Sequence, residues 1–221
     1  MFGSLVNFWK GKDFLIEVFD EFNGMLDDCE EMFDMVIKVL LKGEDIKSMK
    51  EKVYTIDKKV NCFEKSIRDR IAKHLLLQPS VNVTVCLLLM SVVKDAERLG
   101  DYSKNLFEIA ELANGNIDIA KYRELFGTME QSIQKLYKDT KKAFMEENED
   151  LAVNSWTIKK EIGKGCDRII ESLAKSTTLT VNQAVCFTLM ARHYKRIISH
   201  LTNIATSVVL PIADLDYYNK P

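Results

Sequence analysis

The sequence predicts an all-α protein built as a tandem duplicated pair of three-helix bundles, with six long antiparallel helices. Three observations carry this. The only prolines are Pro79, Pro211 and Pro221, so residues 80–210 contain none. Helix interiors exclude proline at a cost of roughly 3 kcal/mol, so a proline-free stretch of that length is expected where helices dominate. No segment longer than a few residues alternates polar and apolar as a half-buried strand does. Finally, the chain repeats itself with a period near 100 residues.

The elements follow in order. Helix one runs from about Asp13 to Leu41, with Phe22, Leu26, Cys29, Phe33, Val36 and Leu40 at three- and four-residue spacing. Lys42-Gly43 stops it. Glu44-Asp45 opens helix two, whose stripe is Val53, Ile56, Val60, Phe63, Ile67 and Ile71, and which ends near Leu77 before Pro79. Ser80 is the expected cap of helix three, which continues to Ala113, where Asn114-Gly115 supplies left-handed terminator residues. Helix four is expected unbroken from about Ile117 to Glu146, with a turn at Glu149-Asp150. Helix five reaches about Lys175, Ser176–Thr178 is a loop, and helix six ends before Pro211. Helices this long with short loops pack antiparallel in a bundle. The organisation is an N-terminal segment at 1–12, a first repeat at 13–114, a second at 115–210 and a tail at 211–221.

The repeat is legible helix by helix. Met25, Phe33, Val36 and Leu40 match Met129, Tyr137, Thr140 and Phe144 at a shift of 104. Thr55-Ile56, Val60 and Ile71-Ala72-Lys73 match Thr157-Ile158, Ile162 and Leu173-Ala174-Lys175 at a shift of 102. Glu97-Arg98-Leu99-Gly100-Asp101 faces Lys195-Arg196-Ile197-Ile198-Ser199, and Asn105 faces Asn203, at a shift of 98. The shift shrinks at each loop, as short deletions require.

Composition narrows the function. Hydrophobic residues make up 47% and charged residues 29%, the balance of a globular chain rather than a disordered one. Lys and Arg total 31 against 33 Asp and Glu, which argues against a strongly basic nucleic-acid binder. No apolar run reaches the roughly 18–20 residues of a membrane span, and Met1–Trp9 shows no secretory signal. Cys29, Cys62, Cys86, Cys166 and Cys186 form no CxxC and read as reduced, buried thiols of a cytosolic protein. Gly163-Lys164-Gly165 lies inside a helical pattern and lacks a phosphate-loop signature. GxSxG and HExxH are absent, no Glu stands three residues before a His, and His74, His193 and His200 have no nucleophile at motif spacing. The chain does not read as an enzyme.

Chemistry gathers on two helices of the first half. Glu97 and Asp101, four residues apart, project from one face of helix three, away from the stripe of Leu88, Val92, Ala96, Leu99 and Leu106. Asp57, Asn61 and Glu64 fall within or beside the apolar stripe of helix two, where a carboxylate must be paired, hydrated or metal-bound. Hard divalent or trivalent cations prefer such oxygen donors. Lys94 and Lys104 flank Glu97 and Asp101, so a charge-balanced helix face is the alternative reading. In the second half Lys195 and Ser199 replace Glu97 and Asp101, and Lys159 and Cys166 replace Asp57 and Glu64. Ammonium groups repel a metal and have no lone pair to give it, so a metal site is expected in the first half alone. Helix six instead carries Arg192, His193, Lys195, Arg196 and His200, which suits an anion, an acidic partner or internal ion pairs.

With its two-fold repeat and Glu-Arg-Leu-Gly-Asp followed by Asn105 near the end of helix three, the chain resembles the PhoU family of phosphate-uptake regulators. Glu97 and Asp101 match that family's acidic-xxx-Asp motif, and Asp57-Lys-Lys-Val-Asn61-Cys-Phe-Glu64 resembles its second-helix pattern. Lys195–Ile204 keeps the family's Arg, Ile, His and Asn positions but not its acids. The resemblance extends from about Phe14 to Val209. It implies metal clusters, often iron or zinc, on the bundle surface, and a cytoplasmic regulator without catalysis. Its partners would be a phosphate ABC transporter and a sensor histidine kinase, with no nucleic acid and no membrane insertion. Peripheral membrane contact and a homodimer stay open, as does a scaffold role for a different transporter or anion response.

Overall fold

The computed structural model describes residues 13–215; the segment 1–12 and most of the 211–221 tail lie outside the described residues. All regular structure in it is helical: α1 (Asp13–Lys42), α2 (Ile46–Leu77), α3 (Val83–Leu112), α4 (Ile119–Phe126), α5 (Met129–Met145), α6 (Glu149–Ala174), α7 (Val181–Thr206) and a 3₁₀ turn at Ile212–Asp214. Helices α1, α2 and α3 pack on one another, as do α5, α6 and α7. The halves join through α3 against α7 and α1 against α5.

Local chemistry accounts for most boundaries. Gly43 (φ +70°) ends α1, and the Asp45 carboxylate accepts the Ser48 amide at 2.9 Å to start α2. Asn114 and Gly115 take positive φ after α3, with the Gly115 amide donating to the Ala110 carbonyl at 2.9 Å. Thr180 and Gln183 form a capping box at the start of α7.

Three expected boundaries move. Ser80 does not cap α3; it lies in a turn where the Val81 amide donates to Gln78 at 3.0 Å, and the N-cap position falls to Asn82. Glu149 and Asp150 are not a turn but the first helical turn of α6, where acids favour the positive end of the helix dipole and Asn148 supplies the cap. The expected unbroken helix four is two helices, α4 and α5, parted at Gly127.

That break has a buried cause. In a continuous helix, Tyr122 and Glu130 would stand about 12 Å apart along the axis. Here the Tyr122 hydroxyl donates to Glu130 Oε2 at 3.0 Å and meets the Tyr194 hydroxyl at 3.0 Å. Arg123 Nη1 donates to Glu130 Oε1 at 2.6 Å and to the Gly127 carbonyl at 2.7 Å. Tyr122, Tyr194 and Glu130 are all buried. The bend therefore closes a hydrogen-bonded network around a buried acid, which would be costly to leave unpaired.

Charge sets how α1 packs against its neighbours. It carries nine acids against two lysines, whereas α2 carries nine lysines and arginines against four acids. Arg70 holds Glu17 and Glu21, and Lys59 holds Asp28 at 2.8 Å. On the other flank Lys141 holds Asp27, and the Gln134 amide donates to Asp34 at 2.7 Å. In both cases one residue number rises as the other falls, the mark of antiparallel neighbours.

Two glycines give opposite expectations. Gly127 has φ +56°, a conformation that strains any L side chain, so Gly127→Ala should cost about 1–3 kcal/mol of stability. Gly163 lies inside α6, and an added Cβ there meets nothing within 4 Å, so Gly163→Ala should gain up to about 1 kcal/mol. Urea midpoints at unchanged slope measure both.

Candidate functional site

The first-half acids line a charged seam between α2 and α3. Its geometry depends on a close approach of the two helices at Gly100, where an added Cβ would stand 3.3 Å from Val60 Cγ1. Val60 lies between Asp57 and Asn61 in sequence, and Gly100 between Glu97 and Asp101. An added Cβ at position 100 would require the Val60 side chain to give by a few tenths of an ångström.

Across this seam Lys104 Nζ donates to Asp57 Oδ1 at 2.9 Å and to Asp101 Oδ1 at 3.2 Å. Arg98 lies 3.0 Å from Asp101 and 3.5 Å from Glu97. Arg68 holds Glu64 at 3.0 Å, and Asn61 is half-buried one turn beyond Asp57. Asp57 is buried, and the Lys104 side chain is only 21% exposed. Burial pulls the Lys104 ammonium down, but hydrogen bonds and charge from Asp57 and Asp101 outweigh it and leave it above its ordinary value. Burial raises the Glu97 carboxyl, as do Asp101, Glu64 and Asp57 nearby, against the opposing pull of Arg98.

The five residues the sequence singles out thus share one flank of the first repeat. Their oxygen donors suit a hard cation, but their arrangement does not. All four carboxylates already have a cationic neighbour from their own chain, and Lys104 stands between Asp57 and Asp101. Among the described residues, no group of three or more His, Cys, Asp or Glu side chains is set to hold a metal ion. The thiols offer no replacement. Burial, with Asp28 beside it, pushes Cys29 up, and burial with Asp167 pushes Cys166 to about 12. Four cysteines are buried as expected; Cys62 is exposed.

On the matching flank of the second half, Lys195 Nζ meets both oxygens of Asp167, at 2.6 and 2.7 Å, tying α7 to α6. The basic residues of α7 divide. Arg192 and Arg196 are exposed, whereas His193 and His200 face α3, their rings 5.7 and 5.5 Å from that of Tyr102. His200 Nδ1 lies 2.6 Å from Asp95 Oδ1, and Asn203 donates to the same oxygen at 3.4 Å.

Sequence reasoning missed Asp95, which is 1% exposed at the junction of the two repeats. One signal existed, since Asp95 falls between Val92 and Leu99 on the apolar stripe. It also passed over Glu130, and it weighed Lys104 only as a neighbour of Asp101. The reach of Lys104 to Asp57 depends on how α2 and α3 pack, which helical periodicity does not encode.

Comparison with known proteins points to the PhoU domain. The profile described as the PhoU domain matches twice, over residues 22–110 and 126–208. A curated protein of Thermotoga maritima, phosphate-specific transport system accessory protein PhoU homolog 1, is 26% identical over 204 residues, covering 88% of this chain and 81% of that protein. The crystal structure of PhoU from Pseudomonas aeruginosa superposes with a TM-score of 0.79 at 20% identity, over 89% of this chain and 95% of that one. The phosphate transport system regulatory protein PhoU from Streptococcus pneumoniae gives 0.72 at 17% identity, with the same coverage.

The raised Glu97 carboxyl carries a sign. Between the ordinary carboxylate range and its raised folded value, the native state keeps a proton that the unfolded chain releases, so stability falls as pH rises. Glu97→Gln should therefore melt above the wild-type chain at about pH 7, and the gain should vanish as pH falls below about 4. Thermal melts across that range check it; a variant less stable at neutral pH would mean that the Arg98 contact outweighs the burial.

Proposed function

Because this chain belongs to the PhoU family, we propose that it is a cytoplasmic, non-catalytic regulator of phosphate uptake, an adaptor between a phosphate ABC transporter and its sensor histidine kinase. The match of the PhoU domain to both halves carries the reading. The Thermotoga relative, an accessory protein of a phosphate-specific transport system, supports it. The structure supports its physical side. The long helices leave two extended flanks, α2 and α6, for protein contact, and among the described residues no helix is long and apolar enough to cross a membrane. The seam's charged groups hold one another in ion pairs.

Were a metal to bind, iron or zinc by resemblance, Asp57, Asn61, Glu64, Glu97 and Asp101 would be its ligands. Their carboxylates are free for it only when Lys104, Arg98 and Arg68 release them. The second reading, a scaffold for a different transporter or an anion response, draws on the basic α7. With Lys195 on Asp167 and both histidines against α3, that reading rests on Arg192 and Arg196.

Deleting the gene should derepress phosphate-uptake genes in phosphate-rich medium, read as transcript levels against the parent strain. Unchanged expression would remove the phosphate role and leave the family assignment intact. Recovery of a different transporter in a pull-down with the full chain would favour the second reading.

A further inference from the structure

The seam between α2 and α3 already contains a cation. Lys104 Nζ, at 2.9 Å from Asp57 and 3.2 Å from Asp101, joins the two helices through their carboxylates. Both carboxylates are mostly shielded from water, at 11% and 26% side-chain exposure, so their attraction to the ammonium is screened less than at an open surface. A divalent metal would need the same oxygens at about 2–2.6 Å. It would compete with the ammonium for them, because two cations at that separation repel and Lys104 Nζ already holds Oδ1 of each carboxylate. The neighbouring charges add to the balance. Asp57, Glu64, Glu97 and Asp101 face Lys104, Arg98 and Arg68, so the protein's own cations offset most of the seam's negative charge.

We infer that Lys104 is the resident cation of this seam, standing where a metal would bind and keeping divalent metal away from Asp57 and Asp101. The family reading supplies only the expectation of a metal; the inference itself stands on the contacts of Lys104. The residue acts as a specificity determinant rather than as a ligand. Removing its charge should turn a self-neutralised seam into a metal-binding one.

The test uses the full chain and Mn2+ alone, a hard ion suited to carboxylate oxygens. Lys104→Gln keeps a polar side chain without the charge, and Lys104→Arg keeps the charge. Calorimetry should show Mn2+ binding to Lys104→Gln at least about tenfold tighter than to the wild-type chain or Lys104→Arg. Without metal, Lys104→Gln should melt below wild type, because Asp57 loses its partner; Mn2+ should raise its melting temperature and leave that of wild type unmoved. Adding Asp57→Asn to Lys104→Gln should abolish the gain. Equal Mn2+ affinity in wild type and Lys104→Gln would overturn the inference and leave a metal role standing. Absence of Mn2+ uptake by both proteins would also overturn the inference. Lys104→Met, an apolar replacement of similar length, repeats the comparison should the glutamine variant fail to fold.

Discussion

The antiparallel contact of α3 with α7 is the constraint on which the other helix positions depend. Each is the third helix of its repeat, and each is apolar towards the other. At their crossing, Asp95 meets His200, while His193 lies against Tyr102. In the repeat register His193 is the counterpart of Asp95, and His200 that of Tyr102. The two contacts are therefore images of each other, and the halves are related by a local two-fold. Burying a carboxylate there would be costly alone, and His200 and Asn203 offset that cost. Only one of its oxygens is served, however; Asp95 Oδ2 has no hydrogen-bond partner among the described residues. With the third helices turned inward, the second helices form the outer flanks. The charged seam is consequently a feature of the molecular surface, although Asp57 is buried and Glu64, Glu97, Asp101 and Lys104 are half-buried.

Charge complements the hydrophobic packing around α1. A stripe of nine acids on one helix would repel itself if it faced water alone. Placed between α2 and α5, it finds Arg70 and Lys59 on one side and Lys141 on the other. Each exposed pair contributes little by itself, in the range of about 0–1 kcal/mol. Taken together, they favour one sliding register over alternatives that would bring like charges face to face. Apolar stripes of this length specify register only loosely, so the ion pairs add to specificity more than to stability.

Much of the fold was legible in the sequence because helices announce themselves locally. Gly43, Asp45 and Asn114-Gly115 act within a turn of their own position, and proline absence and apolar spacing need no knowledge of neighbours. The errors came where tertiary contacts decide. Gly127 looks tolerable inside a helix until Tyr122, Glu130 and Tyr194 require a bend. Ser80 has the right chemistry for a cap, but the turn after Pro79 places Asn82 there instead. The candidate site divides in the same way. Asp57, Asn61, Glu64, Glu97 and Asp101 were found by spacing and do share a flank. What holds the carboxylates was hidden, because Lys104 meets Asp57 from 47 positions away. The close approach at Gly100 that makes this possible is a property of two helices, not of one.

The local two-fold holds for the crossing of the third helices but is broken by the bend at Gly127 and by the charges. Where the first repeat presents Glu97 and Asp101, the second presents Lys195 and Ser199, and the lysine that ties each third helix to its second helix sits at a different level in each half. A duplicated bundle with matching flanks would look the same to a partner after half a turn and could be gripped in two equivalent ways. This chain cannot. A protein reading the α2 flank meets one pattern of charge, and one reading the α6 flank meets another. The molecule therefore has a heading, and a complex built on it has a defined front and back.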